Sequence, residues 1–242
     1  MAGPDIPHHA AGALPKYVQI AEGLIREIAA GRLSDGARLP SEREMAEAQG
    51  IAVGTLRRAL NVLEDQGLLE RVQGSGNYVR ARADVASVYS FLRIEKIGGG
   101  GLPTADVLSV DRMVKPKEAP YFGPDVNGFR FRRLRFMDQE PAALEEIWLD
   151  GAQADEIDRD AVSESLYLYY REAFGLTITG AEDRVSVATV PSWTDPRFGP
   201  KAGDVVGYIE RIGRGQDGAR VEFSRTWFDP ARINYISRLG KT

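Results

Sequence analysis

The chain has 242 residues, 43% apolar and 27% charged, which is long enough for two modest domains that each bury a core. It contains no cysteine, and its two histidines, His8 and His9, lie among Ala, Gly and Pro in the first ten residues. Disulfides, thiolate metal sites and a cysteine nucleophile are therefore excluded, and neither a membrane span nor a signal peptide is visible, so a cytoplasmic location is expected.

The net charge of −4 is spread unevenly, with ten Lys/Arg against nine Asp/Glu over residues 15 to 82 and 21 against 25 over residues 83 to 242. Any surface for nucleic acid in the front segment must come from the placement of its arginines.

Residues 1–14 have no periodicity and read as a disordered tail. Tyr17, Ile20, Ala21, Leu24, Ile25, Ile28 and Ala29 recur at helical spacing up to Gly31. Ser41 followed by Glu44 is a capping-box pattern, opening a short helix with Met45, Ala46 and Ala48 on its buried side, ended by Gly50. A third helix carries Leu56, Ala59, Leu60 and Leu63 on one face and Gly54, Thr55, Arg57, Arg58 and Asn61 on the other, and stops at Gly67. Two short β runs then flank Gln73-Gly74-Ser75-Gly76-Asn77, a hairpin signal. Helix, tight turn, helix and hairpin make a winged helix-turn-helix, a shape that sits on duplex DNA.

This stretch resembles the GntR family of bacterial transcription regulators. The family's LPSER pattern stands at Leu39-Pro40-Ser41-Glu42-Arg43, its TxREAL-type helix at Thr55-Leu56-Arg57-Arg58-Ala59-Leu60, and its wing at Gln66-Gly67-Leu68-Leu69 through Gly74-Ser75-Gly76-Asn77-Tyr78-Val79. The resemblance implies major-groove contacts at Arg43, Thr55 and Arg57. It leaves phosphate or minor-groove contacts to Arg38, Ser41, Arg58 and the wing backbone at Gly74, Ser75 and Gly76. Where many members open the recognition helix with Ser or Thr and then a base-reading Arg, this chain has Ala52 and Val53. Ala52 gives up an N-cap worth about 1 kcal/mol, and Val53 cannot bond a guanine edge, so a shifted operator preference is expected, favouring a thymine methyl.

Residues 83–88 read as a linker, after which the period changes to two. Val107 to Val114, Phe129 to Met137, Ala143 to Leu149, Glu182 to Val190, Val205 to Ile212 and Val221 to Phe228 alternate, with turns at Asp138-Gln139-Glu140-Pro141 and Gln216-Asp217-Gly218. One helix, with Val162, Leu166, Tyr169, Tyr170 and Ala173 at helical spacing, interrupts them before Gly175. The expected class is therefore two-domain α+β: residues 15–82 a winged helix and residues 89–242 an antiparallel-sheet domain.

Parity puts Phe129, Phe131, Arg133, Arg135 and Met137 on one face, so two arginines stand among large apolar groups and need carboxylates or a bound anion. Glu145 shares a face with Ala143, Ile147 and Leu149, and Glu222 shares one with Ser224 and Phe228. Such an arrangement is either an internal salt-bridge cluster or a pocket for a small anionic, hydroxyl-bearing ligand.

A second resemblance covers residues 87 to 240. RLRFMDQEPAALEEIWL is similar to the RLRxxDGxPxxxExxxL signature of the UTRA effector domain of the HutC subfamily, whose fold is like chorismate lyase. Ser90-Phe91, Ser165-Leu166-Tyr167 and DGARVEFSRTWF agree with it. It implies a metabolite of the sugar phosphate or organic acid class held by Arg133 and Arg135, with Ser90, Ser165 and Tyr167 donating, Glu145 and Glu222 accepting, and Phe91 and Phe228 closing the pocket, beside Ser224. It also implies a homodimer on a palindromic operator, most simply a repressor, with no cofactor or metal and no membrane partner. The segment Pro191 to Gly203 departs from the pattern, and a turn-rich replacement at the pocket's edge is expected. An enzyme of chorismate lyase-like fold is the alternative, disfavoured because residues 83 to 242 contain no His or Cys and no clear nucleophile. An all-helical, metal-binding FadR-type domain is excluded by the strand alternation.

Overall fold

The computed structural model describes residues 14–80 and 91–238; the N-terminal tail, the linker and Ser90 lie outside them. The described chain divides into two compact units, residues 14–102 with 232–238 and residues 103–231.

In the first unit α1 (Lys16–Ala29), α2 (Glu42–Ala48) and α3 (Val53–Asp65) precede the two-stranded wing, β1 (Leu69–Val72) and β2 (Gly76–Val79). The apolar stripes meet in one core, in which Ala21, Leu56, Ala59, Leu60, Leu63 and Val79 are fully enclosed. Burying such side chains contributes about 1.5–3 kcal/mol each, which is what holds helices this short. The capping box forms at α2: Glu44 N donates to Ser41 Oγ, and Ser41 N donates to Glu44 Oε2. Ala52 occupies the N-cap of α3 without a side-chain hydrogen bond. Ala48, expected on the buried side, is exposed; α2 ends there, and only Met45 and Ala46 reach the core.

Two strands that alternation did not reveal, β3 (Ile94–Lys96) and β10 (Ile233–Tyr235), pair antiparallel and belong to this unit. At three residues each they are too short to display a period.

The second unit is a six-stranded antiparallel sheet of β4 (Pro103–Val114), β5 (Asn127–Met137), β6 (Glu140–Asp150), β7 (Gly180–Thr189), β8 (Val205–Arg214) and β9 (Arg220–Phe228) in the order β4-β5-β6-β9-β8-β7. Meanders are confirmed, and no strand pair requires a helical crossover. The single long helix, α4 (Leu166–Phe174), crosses one face, placing Tyr170 over Phe131 with ring centroids 6.1 Å apart. Val162 precedes this helix, because Ser165 caps it by accepting from Leu168 N. Gly175 closes it in the left-handed conformation, φ 66°, where a side chain would be strained.

The opposite face is covered by loops. Val190, Trp193 and Phe198 pack on Leu134, Leu144, Val206 and Trp227, and Phe122 packs with Trp148, Ile212 and Phe223. The segment Pro191 to Gly203, expected beside Arg133 and Glu145, thus lies on the opposite face of the sheet from them; it contains a single 3-10 turn, Pro196–Phe198.

Candidate DNA-binding and effector sites

On the winged helix the candidate arginines have different surroundings. Arg43 is exposed and has no ion-pair partner among the described residues, so its fork is free to meet a base edge or a phosphate. Arg57 is exposed but fastened, with Nε 3.0 Å and Nη2 2.9 Å from Glu42 Oε2. Arg58 lies over the ring of Tyr17, its guanidinium carbon 4.3 Å from the centroid, which steadies it against α1 while it stays exposed. Arg38 rests against the wing at Gly76, where an added Cβ would come 3.1 Å from its Nε. Thr55 is half-buried on α3, and Val53 stands exposed in the first turn.

Ser41 spends its backbone N–H and an acceptor site of its hydroxyl on the α2 capping box, which leaves the hydroxyl proton as the group it could offer a phosphate. At the wing tip Ser75 Oγ is 2.7 Å from Tyr78 Oη, and Gly74 holds φ 76°. Arg71, which sequence patterning did not single out, joins the wing to the recognition helix through Asn61 and Glu64, 3.1 Å from the latter. The residues read from the sequence thus gather on α2, α3 and the wing.

In the sheet unit Arg133 and Arg135 are 3% and 4% exposed, and Glu145, 5% exposed, lies directly across from Arg133 in the β5–β6 register. Arg133 Nε and Nη2 donate to Glu145 Oε2 at 3.0 and 2.6 Å. Arg135 Nε donates to Oε1 at 3.0 Å and its Nη2 to Oε2 at 3.1 Å. One carboxylate therefore serves two guanidiniums. Burial opposes the ionised Glu145, but the charges and hydrogen bonds of Arg133 and Arg135 prevail, lowering its pKa to about 2. Arg133 Nη1 also donates to Glu164 O at 3.1 Å, beside the start of α4.

Four residues along the neighbouring strand, Glu222 is 1% exposed, and its Oε1 accepts from Tyr167 Oη at 2.8 Å. Tyr170 faces the same carboxyl, yet neither its hydroxyl nor Glu222 Oε2 completes a hydrogen bond. Burial raises the Glu222 pKa above the usual carboxylate range, and burial with Glu222 as neighbour raises Tyr167 as well. Ser224, 7% exposed, occupies the next position on this face. Directly across from Ser224 is Arg211, whose Nε and Nη2 donate to Asp183 at 2.5 and 2.7 Å. Arg211, Asp183 and Tyr170 were missed by motif reading; the same parity that picked out Arg133 places Arg211 beside Ile209 in an alternating run. Phe228 closes the row, its ring filling the space over Gly207 where a Cβ would lie 2.3 Å away.

Arg133, Arg135, Glu145, Ser165, Tyr167, Glu222, Ser224 and Phe228 thus all belong to the sheet unit, whereas Phe91 belongs to the first unit. The sheet-unit face presents two guanidiniums next to hydroxyl and carboxyl groups, which suits an anion bearing hydroxyls. Among the described residues no group of His, Asp and Glu is placed to hold a metal ion.

A winged helix-turn-helix joined to an antiparallel effector-type sheet defines a transcription regulator of two domains. Residues 16–79 match the bacterial regulatory proteins of the gntR family and residues 99–234 match the UTRA domain. The chain belongs to the GntR family and carries a UTRA domain. It is 55% identical over 231 residues to the HTH-type transcriptional regulator SmoD of Agrobacterium fabrum, covering 96% of this chain and 99% of that protein. It is 28% identical to the mannosyl-D-glycerate transport/metabolism system repressor MngR of Escherichia coli, covering 90% and 93%. The fold is similar to that of the possible transcriptional regulator YydK from Bacillus subtilis, with a TM-score of 0.54 at 22% identity over 94% of this chain and 100% of that one. SmoD is named as a transcriptional regulator and MngR as a repressor.

Proposed function

We propose that the protein is a ligand-responsive repressor of the HutC type, acting in the cytoplasm as a homodimer on a palindromic operator. A small anionic metabolite of the sugar phosphate or organic acid class sets its DNA affinity. The observation that carries this reading is the Arg133–Glu145–Arg135 cluster, two guanidiniums sharing one carboxylate on the α4 face. Guanidiniums in a site of low water content bind carboxylate and phosphate groups through paired N–H donors, which is the chemistry an anionic ligand uses. Glu222, Tyr167, Ser224 and Tyr170 then meet the ligand's hydroxyls, with Ser165 holding α4 in place and Phe228 bounding the pocket. Arg43, Thr55 and Arg57 read the major groove while Arg38, Ser41, Arg58 and the Gly74–Gly76 wing hold the backbone. A dimer spaces two such readers by one turn of duplex. The relative MngR, a repressor by name, supports the direction of regulation.

Ligand acts by differential affinity for DNA-competent and DNA-incompetent states. Gel-shift titration of the full chain on its operator with sugar phosphates and organic acids tests this, and a shift in DNA affinity with at least one of them is the expected result.

A further inference from the structure

The DNA-binding unit is not a continuous stretch of chain. It takes in residues 91–102, which lead into β4, and residues 232–238, which follow β9. Ile94 and Ile233 are buried, at 2% and 3% exposed, and the β3–β10 ribbon is extended by Ile97 N donating to Arg232 O at 2.9 Å and Ile236 N to Arg93 O at 2.7 Å. A two-stranded ribbon of three-residue strands is not stable by itself. It is held to α1, where Arg26 Nη2 donates to Ile94 O at 3.0 Å and Arg26 Nη1 to Leu92 O at 3.5 Å.

The centre of the attachment is Glu95, 7% exposed. Arg238 clasps it with Nη1 2.7 Å from Oε1 and Nη2 2.9 Å from Oε2. Arg32, just beyond α1, reaches Oε2 at 3.4 Å, and Gly100 N donates to the same oxygen at 3.4 Å. Arg32 is itself held by Glu27 at 2.6 and 2.8 Å. Burial disfavours the charge on Glu95, and the bonds and charge of Arg238, with Gly100 N and Arg32, outweigh it and keep the pKa below the usual carboxylate range.

The connection on the other side is short. β9 carries Glu222, Ser224 and Phe228, and five residues after Phe228 the chain is already in β10. Between them Pro230 and the bond from Ala231 N to Asp229 Oδ1, 3.0 Å, restrict the backbone. Four residues, 229–232, thus join the strand that carries Glu222 to a ribbon that is fastened to the first helix of the DNA-binding unit.

We propose that Glu95 is a coupling latch: by gripping Arg238 of the C-terminal segment and Arg32 at the end of α1 together, it makes the β3–β10 ribbon the element through which the effector state reaches the DNA-binding helices. This rests on the ligand-responsive reading above. Glu95 and Arg238 are positioning residues, and neither is placed at the DNA or at the ligand.

Because coupling between two sites is reciprocal, DNA binding must alter the sheet unit as the ligand alters the DNA-binding unit, so the latch can be tested with DNA alone. The probe is a duplex that the full-length protein selects from a random library, and the readout is hydrogen exchange in residues 103–231 with and without it. In the parent protein, duplex changes exchange in β9 and β4. Arg238→Ala and Glu95→Gln bind the duplex within about threefold of the parent, as expected for changes away from the DNA, but lose that change. Glu27→Gln, which frees Arg32 from its other partner and leaves Glu95 with Arg238, retains it, and Arg238→Lys restores part of it. If Glu95→Gln does not fold, Arg238→Ala carries the test.

A latch variant that transmits the change like the parent overturns the proposal. A parent protein whose sheet unit is indifferent to DNA overturns instead the ligand-responsive reading on which it rests.

Discussion

Arg57 on the recognition helix is held by Glu42 in the first turn of the preceding helix, Nε and Nη2 lying 3.0 and 2.9 Å from the same carboxylate oxygen. Its neighbour Arg58 is instead stacked on Tyr17. Two adjacent arginines of one motif are thus given different work, one aimed outward by a carboxylate and the other packed against α1. Arg57→Ala is expected to cost about 1–3 kcal/mol on the selected duplex, the value of a lost base contact, and to relax the preference at one position. Arg58→Ala should weaken all sequences alike and lower the salt slope by about one. Fluorescence anisotropy at several salt concentrations separates the two, and equal losses of discrimination would show that the stacking on Tyr17 does not set their roles.

The recognition helix begins without a side-chain cap at Ala52. Ala52→Ser should stabilise the winged helix by about 1 kcal/mol, read as a shift of the denaturant midpoint at constant slope. Val53 is exposed beside it, and binding-site selection with Val53→Arg should move the preferred base from thymine toward guanine. An unchanged half-site would remove Val53 from the reading surface.

Glu145 serves two buried arginines at once, so its removal takes a shared counter-charge from both. Glu145→Ala should lower the stability of the sheet unit by about 3–5 kcal/mol, measured by urea unfolding. A loss below 1 kcal/mol would mean that water or another group already neutralises the pair.

The two acids on this face titrate in opposite senses. Glu145 is lowered, so the stability it gives is present above its ordinary pKa of 4.5 and is lost as pH falls from there toward about 2. Glu222 is raised, so its ionisation works against folding and the penalty appears as pH rises through the folded value. Glu222→Gln is therefore expected to be at least as stable as the parent at pH 7 and less so in relative terms at pH 4, while Glu145→Gln flattens the acid limb. Thermal unfolding between pH 2 and 8 checks both, and a Glu222→Gln protein destabilised most at pH 7 would contradict the sign.

Much of this was legible from periodicity. The helical stripes of residues 17 to 63 correspond to observed helices because each buries one face against a single core, the condition under which pattern reports structure; the six alternating runs correspond to strands too, although β6 is covered on both sides and is buried from Ala142 to Asp150. Parity alone also put Arg133 and Arg135 among apolar groups. Parity also named Glu145 as a candidate partner of that pair, but that one carboxylate serves both arginines follows only from the β5–β6 register. Arg211 with Asp183 and Arg57 with Glu42 are likewise tertiary pairings of residues 28 and 15 positions apart. The β3–β10 pairing, over more than a hundred residues, leaves no local trace, and Glu95 looks in sequence like any surface acid. The segment Pro191 to Gly203 was placed at the pocket's edge, whereas Trp193 and Phe198 carry it onto the other face of the sheet.

The central claim is that the anion held by Arg133 and Arg135 sets the grip of the winged helix on DNA. The most direct measurement is fluorescence anisotropy of the full chain on its selected duplex while sugar phosphates and organic acids are titrated, in parallel with Arg135→Gln. The account predicts that at least one of these anions changes the DNA affinity several-fold, a coupling of about 1–3 kcal/mol, and that Arg135→Gln binds the same duplex without responding. DNA affinity indifferent to every anion, or a response that survives in Arg135→Gln, would contradict it.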